Sequence, residues 1–523
     1  MTISLQAIEP SLHRLQATRW LSWLLAGIAF VQVAYLVKIG LDPTDVGPFE
    51  TVLARTVAGH FEANAGPGRF YGPFDGSYPA VLMHAPLYYR LVALAAWPAV
   101  LLGFDPLNAS LVVGRLLSIF GTLLILWGMG KLANLDRPGS RAGLLAAALL
   151  LASPLLGNLA VMLRPDTLGI GLQTCGLGLV LNALQQENKA RQIQRICLAA
   201  FLFALAFCVK QQNITLAAMA ILPAMWAWWH RRVSLSALGA AAAVGMATLA
   251  VILGVENLMT GGRMWQTVFV YPSGPFRIIN YAGWVQVRSV FDISARRLIG
   301  LAALGASCAW VLPRRGRFTY LDGFLAACLG LEILTLVPLC LFNAGAASNY
   351  ALQAVVLACV IVGRLADRLI ENCQKPSLPA LPRWKLAPLA LTLLFMATSH
   401  AYWMMVNERV RGAERMAVQG LLSDPRVQEV APEDRYFVTT QHLNRILGNP
   451  GLIHDDWLYG AFEKATDAEP RASWLRAALT RKPVQQVVTP TDDPRVPGIE
   501  PPLTDLGFHL VARHGDLRVW ERR

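Results

Sequence analysis

The chain has 523 residues, of which 55% are hydrophobic and only 15% charged, with a mean hydropathy of +0.43 and a formal net charge of +13. Its apolar runs approach the ~20 residues that a bilayer-crossing helix needs, which excludes an ordinary soluble domain and indicates a polytopic membrane protein. Many of the Lys and Arg residues punctuate apolar segments instead of forming one basic face with interleaved aromatics, so the positive charge does not point to nucleic acid.

The first element in chain order is an apolar run over 20–37, preceded by Arg14 and Arg19. It exits through Leu36-Val37-Lys38-Ile39-Gly40 with no small-residue cleavage site, and so reads as a retained first span rather than a signal peptide. A polar loop of about 40–110 follows. It carries Asp42, Asp45, Glu50, Glu62 and Asp75 and contains His84-Ala85-Pro86-Leu87-Tyr88-Tyr89. A carboxylate held at a membrane surface can accept the proton of an attacking hydroxyl while a lipid phosphate departs, which is general base catalysis. Asp45 stands just before Gly47-Pro48 and equally fits a helix cap. The apolar segment 87–104 is interrupted by Arg90 and Pro98, and is expected to lie along the interface.

Ten further apolar stretches follow, near 109–130, 142–163, 167–184, 196–209, 213–229, 235–258, 298–313, 320–342, 350–363 and 386–404. With the first they make eleven crossings. If 87–104 does not cross, the basic groups Lys131/Arg137/Arg141, Lys189/Arg191/Arg195, Arg231/Arg232, Arg314/Arg315/Arg317 and Arg364/Arg368/Lys375/Arg383/Lys385 all fall on the cytoplasmic side with Arg14 and Arg19, as positively charged loops do. The first loop, the loop 256–297 and the tail after Asn407 then share the external side.

Five polar interruptions of this pattern carry potential chemistry. Arg115, near the outer end of its span, is suited either to a phosphate or to a loop acid. Leu163-Arg164-Pro165-Asp166 and Val209-Lys210-Gln211-Gln212-Asn213 turn between spans on the external side, where ionisable residues are functional candidates; a structural Arg–Asp pair beside a snorkelling lysine is the competing explanation. In the second outer loop Tyr271, Arg277, Asn280, Tyr281 and Trp284 suit sugar or phosphate contact, and equally an interfacial aromatic belt. Asn349 and Tyr350 end a polar hairpin that lines a cavity or simply turns the chain.

The tail changes composition. Segments 435–440, 484–489 and 517–521 predict short strands, 471–480 has helical periodicity, and Gly515-Asp516 marks a turn. The expected organisation is a membrane module over 1–404 and a small external α/β domain over 405–523. None of the eight cysteines lies in the first loop or the tail, and no metal-ligand spacing is visible.

The acidic first loop, the His84-Ala85-Pro86-Leu87-Tyr88-Tyr89 motif, the Arg115-Leu116-Leu117-Ser118 helix start, the Arg164-Pro165-Asp166 hairpin and the Lys210-Gln211-Gln212 and Asn349-Tyr350 segments together resemble the GT-C superfamily of lipid-linked glycosyltransferases. The similar branch holds the protein O-mannosyltransferases and lipid A aminoarabinose transferases. Two departures stand out. Asp45 and Glu50 are separated where that branch often has adjacent acids, and Ala85 stands where a proline is usual.

The resemblance implies an α-helical polytopic membrane protein of about 11 to 13 spans in a bacterial inner membrane, with a periplasmic C-terminal α/β domain. It implies an inverting hexosyl- or pentosyltransferase that moves a monosaccharide from a polyprenyl-phosphate donor to a periplasmic lipid, glycan or protein. Asp45 would be the base, with Glu50 the alternative and Asp166 as organiser; Arg115, Arg164 and Lys210 would neutralise the departing phosphate. His84, Tyr88, Tyr89, Tyr271, Arg277, Asn349 and Tyr350 would contact substrate. No cofactor is required, although a divalent cation is compatible with the acids. A transporter or flippase of lipid-linked sugars is the alternative; it would favour internal repeats and mid-span charges, whereas here no repeat stands out and the acids concentrate in an outer loop.

Overall fold

The computed structural model describes residues 50–61, 84–153, 155–270, 298–310, 312, 318–342 and 351–374, parts of 23–38, 70–71 and 391–431, and in the tail 435–438, 452–454, 479–480, 484–490, 500–515 and 517–522. A short helix α1 (Glu50–Ala58) leads into α2 (Leu87–Leu101) and the long α3 (Pro106–Ala133). The start of α3 is set locally: Asp105 accepts the Asn108 N–H at 2.8 Å, and Pro106 occupies the first helical position. The bundle continues with α4 (Ala142–Leu151), α5 (Asp166–Ala183), α6 (Lys189–Val209), α7 (Thr215–Trp229), α8 (Leu235–Met259), α9 (Tyr320–Phe342) and α10 (Leu352–Gln374). Asn188 and Ser234 cap α6 and α8 in the same way as Asp105. Among the described residues three helices, α3, α6 and α8, are long and apolar enough to cross a membrane by length and composition.

Helix α2 does not run to the opposite end of the bundle. The Tyr88 hydroxyl at its start lies 2.8 Å from the Gly114 carbonyl of α3, while its last residue is separated by only four residues from the first of α3. Both ends of α2 are therefore tied to the N-terminal half of α3. Two expectations are corrected. The stretch 142–163 is helical only to Leu151; the chain then runs irregularly, with one 3-10 turn at Asn158–Ala160, through a stretch whose Ser153 precedes a proline and is thereby steered from helical geometry. Conversely, α10 continues well past 363, so that Arg364 and Arg368 lie buried on a helix rather than in a basic loop.

Those arginines organise the end of the bundle opposite Asp166. Arg364 grips Asp136 with both terminal nitrogens, at 2.6 and 2.7 Å, and donates through Nε to Asp322 at 2.6 Å. Arg368 reaches the other Asp322 oxygen at 2.6 Å, while Arg137 pairs with Asp367 and Glu371. The α3–α4 turn, the start of α9 and the end of α10 are joined by one ionic cluster. A guanidinium so deeply buried is tolerable because every face of it meets an anion or a carbonyl.

Helices α3 and α5 touch backbone to backbone. A Cβ at Gly121 would fall 2.3 Å from the Leu168 nitrogen, and one at Gly171 would fall 2.7 Å from the Gly121 carbonyl oxygen. Small residues are what allow membrane helices to approach this closely, since dispersion contacts and not water expulsion hold them together.

In the tail, β1 (Arg435–Val438), β2 (Leu452–His454), β3 (Gln486–Pro490), β4 (Phe508–His514) and β5 (Leu517–Arg522) form one mixed sheet in the order β2-β1-β3-β5-β4. The first three are parallel to one another, and β5 is antiparallel to both β3 and β4. Short helices α11 (Pro425–Glu429) and α12 (Glu500–Asp505) accompany it, and Val487, Leu503, Phe508 and Trp520 fill one side. Three strands fall where the sequence predicts them. The turn at Gly515, with φ +55°, joins β4 to β5. Most of the predicted helix 471–480 lies outside the described residues.

Candidate functional site

Asp166 opens α5 immediately after Pro165, in the first turn, where a carboxylate is favoured by the unpaired amides of the helix end. Lys210 ends α6 in extended conformation, which breaks the helix and brings its ammonium back across the bundle. Lys210 Nζ lies 2.5 Å from Asp166 Oδ1, and Arg164 Nε lies 3.1 Å from Asp166 Oδ2. The Asp166 and Lys210 side chains are 3% and 4% exposed, and that of Arg164 18%. Two cations thus converge on one buried carboxylate where the sequence placed two separate hairpins.

Glu50 and Arg115 also meet, but each other. Glu50 is wholly buried and accepts Arg115 Nε at 2.9 Å, Arg115 Nη2 at 2.8 Å and the Leu163 backbone N–H at 2.9 Å. This fork joins the first loop to α3 and to the strand of chain leading into Arg164. Of the two roles open to Arg115 from sequence, the loop-acid pair is the one observed, and Glu50 spends its lone pairs on fixed donors.

Tyr88 and Tyr89 are adjacent in sequence and unlike in surroundings. The Tyr88 hydroxyl is held by the Gly114 carbonyl and, at 3.0 Å, by Ser118 Oγ. Ser118 in turn donates to the Met162 carbonyl at 2.6 Å, and Thr167 donates to the Ser118 carbonyl at 2.9 Å. Ser118 is therefore the post on which the 162–167 turn is mounted. Tyr89 is 0% exposed, and its hydroxyl has no hydrogen-bond partner among the described residues. It lies parallel to the His84 ring, with centroids 6.5 Å apart and planes at 4°.

His84 sits at the end of the first loop, fixed by its own backbone and its neighbour's. Tyr71 donates to the His84 carbonyl at 2.7 Å, and the Ala85 N–H donates to Gln211 Oε1 at 3.2 Å. Its Nδ1 is buried and unpartnered. Burial, then the positive charges of Lys210 and Arg164, push the imidazole down to about 3, with Asp166 opposing more weakly. His84 is neutral throughout the physiological range.

Two contributors went unnoticed in the sequence. Tyr71 is one. The other is the Arg90–Glu256 pair, bidentate at 3.0 and 2.7 Å with the guanidinium 4.3 Å over the Phe70 ring, which pins the first loop to the end of α8. The interruption of an apolar run by Arg90 was its only signal. Asp45, Tyr271, Arg277, Asn349 and Tyr350 lie outside the described residues. Among the described residues no group of three His, Cys, Asp or Glu side chains could hold a metal ion.

No protein-family model and no curated protein matches the chain. Solved structures do. ArnT from Cupriavidus metallidurans in the apo state aligns over 97% of this chain and 98% of its own at 16% identity, with a TM-score of 0.58. The same protein bound to undecaprenyl phosphate aligns over 96% and 98% at 16% identity, with a TM-score of 0.56. The Archaeoglobus fulgidus oligosaccharyltransferase in the apo form aligns over 89% of this chain and 69% of its own at 12% identity, with a TM-score of 0.50. The chain has the fold of these structures, an α-helical bundle with apolar helices long enough to span a membrane, followed by a small C-terminal sheet.

Proposed function

We propose that the protein is an inverting membrane glycosyltransferase that moves a monosaccharide from a polyprenyl-phosphate donor to an acceptor hydroxyl on the periplasmic side of a bacterial inner membrane. The observation that carries this reading is the convergence of Arg164 and Lys210 on buried Asp166 at one end of the bundle. A departing lipid phosphate carries negative charge. Preorganised cations in a poorly solvated site stabilise the charge that develops on such a leaving group far more than they would in water. The structural likeness to a protein bound to undecaprenyl phosphate supports the same donor class.

In this mechanism the acceptor oxygen attacks the anomeric carbon from the face opposite the phosphate. The bond from carbon to phosphate oxygen breaks with its electron pair on the departing lipid phosphate, and the acceptor proton passes to a carboxylate. Asp45 is the base in this proposal, because Glu50 is committed to Arg115 and the Leu163 N–H. Asp166 sets the positions of the two cations rather than taking the proton. Arg115 acts on the phosphate only by way of the architecture it holds together.

The test is made with full-length protein in nanodiscs supplied with membrane lipid extract containing polyprenyl-phosphate sugars. A transferase releases polyprenyl phosphate and glycosylates an acceptor, and Lys210→Ala and Arg164→Ala suppress both. Movement of intact lipid-linked sugar across the bilayer, with its sugar–phosphate bond unbroken, would establish a flippase instead. A reporter fused after Asn407 is expected to be active on the periplasmic side, and cytoplasmic activity would overturn the sidedness.

A further inference from the structure

We infer that His84 and Tyr89 form a neutral subsite that takes a hydroxyl of the donor's sugar, beside the charged subsite of Arg164, Asp166 and Lys210. The inference rests on the donor class proposed above and adds a division of labour to it.

Two buried polar atoms on facing rings have no partner among the described residues, His84 Nδ1 and the Tyr89 hydroxyl. Leaving a donor or acceptor buried and unpaired is costly, so such atoms occur in native proteins chiefly where something outside the chain completes them. Their neighbour shows that the local fold can satisfy a tyrosine when it has to, since Tyr88 is bonded to both Gly114 and Ser118. The two rings are also held in place: Tyr71 and Gln211 fix the His84 backbone and that of Ala85, and Tyr88 packs edge-on to Tyr89 with centroids 5.3 Å apart. A fixed pair of unsatisfied groups is a preformed recognition element.

Its chemistry selects the ligand. A neutral imidazole nitrogen, donor or acceptor according to its tautomer, and a phenol, which is both donor and acceptor, match a group that is itself both. An alcohol has that character, whereas a phosphate oxygen only accepts and is served by the adjacent cations. The charged subsite therefore holds the lipid phosphate, and the uncharged one reads a ring hydroxyl of the sugar attached to it.

Full-length protein in nanodiscs is titrated with undecaprenyl phosphate and with a panel of undecaprenyl-phosphate hexoses and pentoses. The parent protein is expected to bind at least one glycosylated lipid about tenfold more tightly than the bare lipid, the scale of a well-placed hydrogen bond. That increment should vanish in Tyr89→Phe and in His84→Leu, with the affinity for bare undecaprenyl phosphate unchanged. Tyr89→Phe should not lower the thermal midpoint, because the hydroxyl it removes has no protein partner. The inference is overturned if the increment persists in both variants, if both kinds of lipid lose affinity equally, or if the parent shows no increment with any member of the panel. Failure of bare undecaprenyl phosphate to bind, or its indifference to Lys210→Ala, would instead sink the donor assignment from which this subsite follows.

Discussion

Replacing Glu50 with Gln separates a structural anion from a catalytic base. The substitution keeps the shape of the side chain and one carbonyl oxygen, which can still accept from Leu163 or from Arg115 Nε. The other oxygen becomes an NH2 group facing Arg115 Nη2, at a separation that was 2.8 Å. The guanidinium, 7% exposed, then confronts a donor where the Glu50 carboxylate oxygen stood. Removing one partner of a buried pair typically costs about 3–5 kcal/mol, because the remaining charge stays desolvated without compensation. Glu50→Gln should accordingly lower the thermal unfolding midpoint by many degrees and reduce the folded yield, while the fraction that folds still turns over. Replacing both partners, Glu50→Leu with Arg115→Met, should recover much of the loss, since an apolar pair of similar volume carries no desolvation penalty. Thermal unfolding of the detergent-solubilised full chain, read alongside sugar transfer per folded molecule, supplies both numbers. A Glu50→Gln protein as stable as the parent but reduced in turnover by about 10²-fold or more, the scale of general base catalysis, would refute this reasoning and make Glu50 the base.

Asp45→Asn is expected to show the converse: turnover falls by about 10²- to 10⁴-fold with donor affinity nearly intact, and full activity in this variant would remove Asp45 from the mechanism. Gly121→Ala should prevent α3 from seating against α5, because its Cβ would lie 2.3 Å from a backbone nitrogen, whereas Gly130→Ala on the same helix meets nothing within 4 Å and should be neutral or slightly stabilising; equal stability of the two variants would contradict the packing. In the tail, burial pushes the Asp424 carboxyl upward, but the hydrogen bond from His514 at 2.8 Å and the Arg426 N–H outweigh it and hold it below the ordinary carboxylate range. A depressed folded value contributes stability that is fully present above the unfolded value of about 3.9 and is lost as pH falls through the lower folded one. Hydrogen exchange of the β4 amides should therefore be faster in Asp424→Asn than in the parent at pH 7, with the difference fading as the pH falls below the ordinary carboxylate range; a difference independent of pH would rule out the carboxylate as its source.

The helices were legible where a single helix decides its own limits. Asp105 and Pro106 announce the start of α3, and the apolar run behind them supplies its length. The Arg164–Asp166 and Lys210 hairpins were legible for a related reason, since charge interrupting apolar sequence is conspicuous. What escaped is what depends on partners far along the chain. Arg364 and Arg368 look like the basic loop after a span until Asp136 and Asp322 arrive from elsewhere to neutralise them, which lets α10 continue. Glu50 looks like a free loop acid until Arg115, 65 residues later, closes on it. The contrast between Tyr88 and Tyr89 rests on whether a carbonyl of another helix comes within reach, and no spacing in the sequence records that.

The glycine contacts of α5 bear on how a long lipid would reach the site. On one flank Gly121 and Gly171 leave no room for even a methyl group between α3 and α5, and on the other Gly169 and Gly176 press against Asn213 of the hairpin and Phe203 of α6. A prenyl chain cannot slip through either seam without prising helices apart. Asp166, however, is the first residue of α5 and sits above both seams. For the donor class proposed above, the rim of the bundle at the start of α5, and not a seam between its helices, is then the expected point of entry for the lipid phosphate.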